Sequence, residues 1–209
     1  MIDLKRSSFF LPTTKFRELA ILLAVLHDAE ISQQAIAEQS GLSGAMVNTY
    51  VKALRQDGLV QMLERNRRDK EYRLTPSGKS RLMDLLMHCS AEIVQLYSQA
   101  RQEIITKLQG HLNGNGNHRV ILFGGADTAQ LVCSALESFP HVAIVAIVDN
   151  NNRRWGEMIG SHVIQRPEML QKVAFDSVVI SSFARQDEIY DSIRSLESQN
   201  VKLIKLAYL

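Results

Sequence analysis

Residues 111–118, HLNGNGNH, divide the chain into two parts that follow different hydrophobic patterns. Alternating asparagine and glycine cannot hold a helix or a strand, because glycine loses more backbone entropy on folding than any other residue. Before this segment apolar residues recur mostly at helical spacing, and after it short apolar runs alternate with helical stretches. The 209 residues are enough for two hydrophobic cores, so the sequence predicts at least two separately packed regions.

The first region, residues 1–76, begins with a pattern of three helices. The stretch 13–28 (TTKFRELAILLAVLHD) has one apolar face and Thr13 or Thr14 as its N-cap. The stretch 32–41 is predicted to start at a Ser32 cap and to stop at Gly41. A third helix follows Ser43, buries Val47, Val51 and Leu54, and ends at Gly58.

Two strands, 59–64 and 71–76, are predicted around the segment RNRRDK (65–70), which has four basic residues among six. Such a run is either a solvated loop or a patch that contacts phosphates. Thr75 and Pro76 then start the next helix in the favoured order of cap and proline.

The stretch from Ile31 to Gly78 resembles the DNA-binding core of MarR-type bacterial winged-helix regulators. The resemblance lies in three motifs: the turn IAEQSGLS, the helix VNTYVKALRQDGLV and the exit YRLTPSG. It implies a winged helix-turn-helix that binds double-stranded DNA, with the third helix in the major groove and the basic hairpin as the wing. The alternative is a helical bundle followed by a chance hairpin.

The outward face of the third helix supplies the predicted DNA contacts. Asn48 can pair with adenine, Thr49 can reach a base or a thymine methyl group, and Gly44 and Ala45 permit close approach. Lys52 and Arg55 lie farther along the helix and suit phosphate. The complete predicted set is Ser43, Gly44, Ala45, Asn48, Thr49, Lys52 and Arg55 on the helix, with Arg65, Arg67, Arg68 and Lys70 on the wing. The alternative for Asn48 and Thr49 is ordinary surface polarity.

A single long helix is predicted for residues 77–112, where apolar residues repeat at steps of four and three. The row consists of Leu82, Leu86, Cys89, Ile93, Leu96, Ala100, Ile104 and Leu108. Such a heptad pattern favours helix pairing in a homodimer, which also suits a two-fold DNA site. The alternative is that the helix packs along its own C-terminal domain.

Residues 119–209 read as five strands joined by helical crossovers, which predicts an α/β, Rossmann-like, doubly wound parallel sheet. The run VAIVAIVD (142–149) is apolar almost throughout, as expected when both faces of a sheet are covered. The other predicted strands are 119–124, 161–164, 177–182 and 201–206, with helices at 127–139, 167–173 and 187–199.

The turn after the first of these strands partly matches the dinucleotide fingerprint G-x-G-x-x-G. Gly124 takes the first place, Ala126 the second and Ala129 the third, while Gly125 adds backbone freedom. Alanine at the second place departs from the pattern, because a methyl group there crowds a pyrophosphate. Asp149 follows the second strand at about the spacing of the acid that binds ribose hydroxyls.

Residues 120–164 resemble the Rossmann domain at the front of sugar-nucleotide epimerase/dehydratase proteins and sugar acyltransferases. The resemblance implies a nucleotide held by the loop Gly124, Gly125, Ala126 and Asp127 and by Asp149, with Ser181 and Ser182 bordering the crevice. Arg153 and Arg154 either neutralise a phosphate or are solvated. The order of a winged helix and a nucleotide-binding sheet is similar to the Rex repressors, which implies NAD(H) as one candidate cofactor. The resemblance to sugar-nucleotide proteins implies a nucleotide-sugar as another, and the sequence does not choose between them.

Three classes of function are disfavoured. No run of 18 apolar residues spans a membrane, no export signal is visible, and we expect a cytoplasmic protein with reduced Cys89 and Cys133. The histidines lack metal-ligand spacing, so no metal is expected. Catalysis is not expected either, because Arg194 replaces the lysine that should follow Tyr190 and there is no nucleophile elbow.

The sequence therefore favours a ligand-responsive DNA-binding transcriptional regulator that binds a nucleotide-like effector. The alternatives are a DNA-binding protein whose sheet is a ligand-free assembly platform, or a sugar-nucleotide-modifying enzyme.

Overall fold

The computed structural model describes residues 13–28, 31–64, 70–112 and 116–206. The fold has two compact units, an N-terminal one that ends at Val94 and a C-terminal one that starts at Gln95.

The N-terminal unit consists of helices followed by an antiparallel hairpin. Its elements are α1 (Thr14–His27), α2 (Gln33–Ser40), α3 (Gly44–Gln56), β1 (Val60–Glu64) and β2 (Lys70–Leu74), and the next element is α4 (Pro76–Leu112). Strands β1 and β2 pair in the register Val60 to Leu74 and Glu64 to Lys70. The core of the unit contains the predicted inward residues Val47, Val51 and Leu54, all of which are buried. The winged-helix arrangement predicted for this region is therefore the one observed.

The helix ends lie where the sequence predicts them, because local side chains satisfy the terminal backbone groups. Thr13 accepts the Phe16 N–H at 3.2 Å and Ser32 accepts the Ala35 N–H at 3.1 Å. Gly41 ends α2 in the left-handed conformation, at φ 67°. These caps confirm the predicted starts of α1 and α2.

Helix α4 contributes to both hydrophobic cores. Leu82 belongs to the core of the N-terminal unit, whereas Ile104 and Leu108 belong to that of the C-terminal unit. In the middle of the predicted heptad row, Ile93 and Leu96 are exposed. The ends of the row therefore pack within the chain, and the homodimer remains a prediction that would depend on the middle of the helix.

The C-terminal unit is built on a six-stranded sheet. Its elements are β3 (His118–Phe123), α5 (Asp127–Leu136), β4 (Val142–Val148), β5 (Met158–Ile159), β6 (His162–Gln165), β7 (Ser177–Ile180), α6 (Gln186–Ile193) and β8 (Lys202–Lys205). The strand order is β5-β6-β4-β3-β7-β8, in which β6, β4, β3, β7 and β8 are parallel and β5 is antiparallel at the edge. The parallel part confirms the five predicted strands; the sequence pattern missed the two-residue β5.

Both faces of this sheet are covered, as the apolar run in β4 predicts. Helix α5 and the end of α4 pack on one face, and α6 with the 3₁₀ segment Pro167–Gln171 packs on the other. The helix predicted over 167–173 is this short 3₁₀ segment, and the one predicted over 187–199 continues from α6 into the 3₁₀ segment Arg194–Gln199. Within the described residues no helix is long and apolar enough to cross a bilayer.

Candidate nucleic-acid interface and ligand crevice

Helix α3 presents a polar surface next to the hairpin. The helix buries Val47, Val51 and Leu54 against the other helices, and this burial fixes which side is turned outward. All seven helix residues predicted to contact DNA are exposed: Ser43, Gly44, Ala45, Asn48, Thr49, Lys52 and Arg55. A Cβ atom at Gly44 would meet no atom within 4 Å, so the backbone is accessible at this point.

Two hydroxyl groups on this surface have roles within the helix. Ser43 is the N-cap of α3, since its Oγ accepts the Met46 N–H at 3.3 Å. Thr49 donates its hydroxyl hydrogen to the Ala45 carbonyl at 3.0 Å. The Thr49 methyl group and oxygen lone pairs remain for a base edge, whereas Asn48 keeps both donor and acceptor at its exposed position.

Two cations extend this surface toward the hairpin. Lys52 and Arg55 line an open cleft of about 720 Å³ whose other wall includes Gln61 and Met62 of β1. Among the predicted wing residues, Arg65, Arg67 and Arg68 lie outside the described residues, and Lys70 is described only as the first backbone position of β2.

The predicted ligand crevice lies at the carboxyl ends of three adjacent parallel strands. Gly124 follows β3, Asp149 follows β4 and Ser181 follows β7. The chain leaves the central strand β3 for β4 on one side, and later returns to β7 on the other. In open parallel sheets a crevice forms at such a reversal of strand order.

Position 124 requires glycine both for its backbone conformation and for its closeness to Ser182. Its φ is +115°, which side chains rarely adopt, and an added Cβ would lie 2.7 Å from both the backbone N and the Cβ of Ser182. Ser182 therefore borders the glycine loop closely, as the sequence predicts for this position.

The Asp149 carboxylate is hydrogen-bonded to the glycine loop, with which it was predicted to hold a nucleotide. It is buried, and its Oδ2 accepts the Gly125 N–H at 2.5 Å while Oδ1 accepts the Asn151 N–H at 2.7 Å. The Gly125 amide would otherwise be available to a phosphate. Asp149 thus holds the loop closed by a charge-assisted hydrogen bond, and it retains lone pairs for a hydroxyl group.

Arg154 binds the next peptide group of the loop, through the Gly125 carbonyl. Its Nη1 donates to the Gly125 carbonyl at 2.9 Å and lies 3.7 Å from Glu157. Arg154 is half-buried, whereas Arg153 is exposed. Of the two arginines, Arg153 follows the predicted solvated alternative, and Arg154 has a structural role that the sequence pattern did not reveal.

The remaining crevice residues are also tied to the backbone. Ser181 is fully buried and donates to the Gly124 carbonyl at 2.6 Å, while Thr128 donates to the Ser181 carbonyl. Asp127 is exposed in the first turn of α5, and Ala126 precedes the helix without a side-chain cap. An exposed carboxylate at this helix terminus opposes the binding of a second anion there.

Arg185 is a further cation of this region that the sequence analysis missed. Its pKa is raised first by a hydrogen bond to Glu188, then by the charge of Glu188 and more weakly by that of Asp149. A cation near a buried carboxylate can stabilise the anionic form or an anionic ligand. Its sequence position, in a turn after β7, carried no motif.

The arrangement therefore has buried polar groups that converge at the sheet edge, but they bind each other through several hydrogen bonds. Asp149 retains acceptor lone pairs for a hydroxyl group, whereas the Arg185 guanidinium already donates to the Glu188 carboxylate through Nε and Nη2. None of the described residues form a cluster of histidine, cysteine or acidic side chains suited to a metal ion.

The two units match different family models. Residues 17–61 match the winged helix-turn-helix DNA-binding family, and residues 116–204 match the family described as C2185-like, N-terminal. No curated protein sequence matches the chain.

Among solved structures, the chain is similar to the PcaV transcriptional regulator of Streptomyces coelicolor, with 24% identity and a TM-score of 0.37 over 41% of this chain and 61% of that one. A MarR-family regulator of Rhodococcus sp. RHA1 has 22% identity and a TM-score of 0.37, over 45% and 71% of the two chains. UDP-D-quinovosamine 4-dehydrogenase of Vibrio fischeri has 17% identity and a TM-score of 0.39, over 45% and 81%. Each similarity covers less than half of this chain.

Proposed function

We propose that this chain is a DNA-binding transcriptional regulator of the MarR type whose C-terminal unit takes a small effector. The observation that carries the DNA-binding part is the exposed surface of α3, which presents Asn48 and Thr49 and continues through Lys52 and Arg55 to a cleft shared with β1. The match of residues 17–61 to a DNA-binding family supports it. In this proposal the Asn48 amide reads a base edge while Lys52 and Arg55 neutralise phosphates.

The test begins with selection of preferred duplexes from a random library by the purified full chain. Affinity is then measured for a selected duplex and for a random duplex of the same length over a range of salt concentrations. Asn48→Ala is expected to weaken binding to the selected duplex by roughly 5- to 150-fold, the effect of about 1–3 kcal/mol per base contact, and to leave random binding nearly unchanged.

Arg55→Ala is expected to weaken binding to both duplexes similarly and to reduce the salt slope by roughly 0.9. Arg153→Ala is the matched control, because it removes one exposed positive charge from the other unit. Absence of binding to any duplex at low salt would overturn the proposal, and an unchanged sequence preference in Asn48→Ala would remove the role of that side chain.

The effector part rests on the crevice at the carboxyl ends of β3, β4 and β7. Asp149 offers acceptor lone pairs to ribose or sugar hydroxyls, and Ser182 lies beside the glycine loop. An effector changes DNA affinity only if it binds one DNA-binding state better than another, with a coupling of typically ~1–3 kcal/mol. DNA affinity measured with and without NAD⁺, NADH and UDP-sugars tests this part, and equal affinity with every ligand that binds would refute it.

A second candidate function is a DNA-binding protein whose sheet is a ligand-free assembly platform. The observation that favours it is the Gly125 N–H, which Asp149 already occupies. Thermal unfolding with the same nucleotides separates the two. A site saturated at 100 times its dissociation constant stabilises the protein by ~2.7 kcal/mol, whereas a platform without a site gives no shift.

A further inference from the structure

We propose that the anionic group of the effector binds in a cleft beside Trp155, at the carboxyl end of β6, rather than on the glycine loop. This cleft has a volume of about 450 Å³ and lies between the segment that follows β4 and the residues that follow β6. A volume of this size is within the range of small-molecule sites. The proposal rests on the proposed effector function and gives the chemistry of its ligand.

Several residues that line the cleft are apolar. Trp155 is half-buried, and its Nε1 donates to the Asp149 carbonyl at 2.7 Å. Ile164 is buried in the core of the unit, and Met169 adds a flexible apolar side chain. A planar or otherwise apolar part of a ligand can pack against these residues.

The cleft is also lined by charged residues. Arg166 and Lys172 are exposed cations, and the Arg166 guanidinium lies 4.8 Å from the centre of the Trp155 ring. Stacking on the ring positions the guanidinium, which can bind a phosphate or carboxylate through two hydrogen bonds. Glu168 supplies an acceptor in the same cleft, so a matching ligand also carries hydroxyl or amine donors.

The cleft is connected to the crevice by the segment 149–157. Asp149 accepts the Gly125 N–H, Arg154 donates to the Gly125 carbonyl, and Trp155 donates to the Asp149 carbonyl. Gly125 also abuts Ile164, since an added Cβ would lie 2.6 Å from its Cδ1. At the glycine loop the Gly125 N–H is already bound to Asp149 and is not available to an anion. At the cleft, Arg166 and Lys172 are exposed and can bind one. These observations favour a nucleoside monophosphate-like ligand, which has an anion, hydroxyl donors and a flat ring.

The chain has a single tryptophan, so Trp155 fluorescence reports directly on this cleft. The full chain is titrated with UMP, AMP, uridine and inorganic phosphate, and each titration is repeated by calorimetry. We expect saturable binding of UMP or AMP, and at least about tenfold weaker binding of uridine and of phosphate alone, because each lacks one of the two recognised parts.

Arg166→Gln and Lys172→Gln are each expected to weaken nucleotide binding by about tenfold, as befits the loss of one charge-assisted hydrogen bond. Arg153→Gln is the matched control, since Arg153 is an exposed cation of the connecting segment that does not line the cleft. The control is expected to bind like the unaltered chain.

The inference would be overturned if no saturable nucleotide binding occurred up to about 10 mM nucleotide, a very weak affinity on the scale of dissociation constants. It would also be overturned if phosphate bound as tightly as nucleotide, or if Arg153→Gln weakened nucleotide binding as much as Arg166→Gln and Lys172→Gln do. DNA binding is measured on the same samples. Intact DNA binding without nucleotide binding refutes the cleft alone, whereas nucleotide binding without DNA binding refutes the regulator.

Discussion

Replacing Gly124 by alanine should destabilise the C-terminal unit through both backbone strain and a close contact with Ser182. The position has φ +115°, and the new methyl carbon would start 2.7 Å from the backbone N and Cβ of Ser182. Ordinary carbon contacts are about 3.5–4.0 Å, so either the loop or the turn after β7 must shift by roughly 1 Å. Ser182 follows Ser181, which is fully buried and hydrogen-bonded to Gly124 itself, so that turn has little freedom to yield.

The expected magnitude has two parts. Holding an alanine in an unfavourable backbone region costs about 1–3 kcal/mol, and overpacking a rigid contact costs a further 1–3 kcal/mol. A total of ~2–6 kcal/mol corresponds to a fall in melting temperature on the order of 10–30 °C for a unit of this size.

Alanine substitutions at two other glycines allow the backbone contribution to be distinguished from the contact with Ser182. Gly160 has φ +57° but open space around its Cβ position, so Gly160→Ala should lose only the backbone part, about 1–2 kcal/mol. Gly110 lies inside α4 with nothing within 4 Å, so Gly110→Ala should stabilise by roughly 0.5–1 kcal/mol. Urea unfolding followed by Trp155 fluorescence reports the C-terminal unit, because this is the sole tryptophan.

A loss of stability from Gly124→Ala no larger than that from Gly160→Ala would contradict this expectation. That result would mean that the contact with Ser182 relaxes freely, and that the crevice is not held rigidly at this point.

Two further predictions concern a buried carboxylate and a half-buried thiol of the same unit. Asp149→Asn should lower the free energy of unfolding by about 1–3 kcal/mol, because one of the two backbone N–H groups that now donate to its oxygens would face an amide NH₂ instead. Asp127→Asn, at an exposed site, should lower it by only about a few tenths of a kcal/mol. Equal losses in urea unfolding would contradict this expectation. Cys133 should react with iodoacetamide at pH 8 roughly 100-fold more slowly than an ordinary thiol, because burial raises its pKa to about 11; peptide mass spectrometry should show the normal rate return in urea, and fast labelling of the folded chain would argue against burial.

The N-terminal unit could be predicted closely because its signals are local. Thr13, Ser32 and Ser43 each cap a helix within three residues of their own position, and Gly41 ends one through its own backbone conformation. The apolar spacing of α3 likewise fixes which side is turned outward, since the helical period alone determines it. The parallel sheet followed from the alternation of apolar runs with helical stretches.

The long helix shows where a local pattern is insufficient. Its heptad row is real, but Leu82 and Leu108 belong to different cores of the same chain while Ile93 is exposed. An apolar stripe indicates that one face of the helix becomes buried, but which part of the protein buries it depends on the rest of the fold.

By itself the sequence determined the order of elements, their caps and the positions of Gly124, Asp149 and Ser181 at the ends of strands. Only the tertiary structure decided that Asp149 bonds to Gly125 from 24 residues away, and that Arg166 stacks on Trp155. Caps and periodicity depend on neighbours along the chain, whereas hydrogen bonds across a sheet edge depend on which strands become adjacent and on where each turn points its side chains.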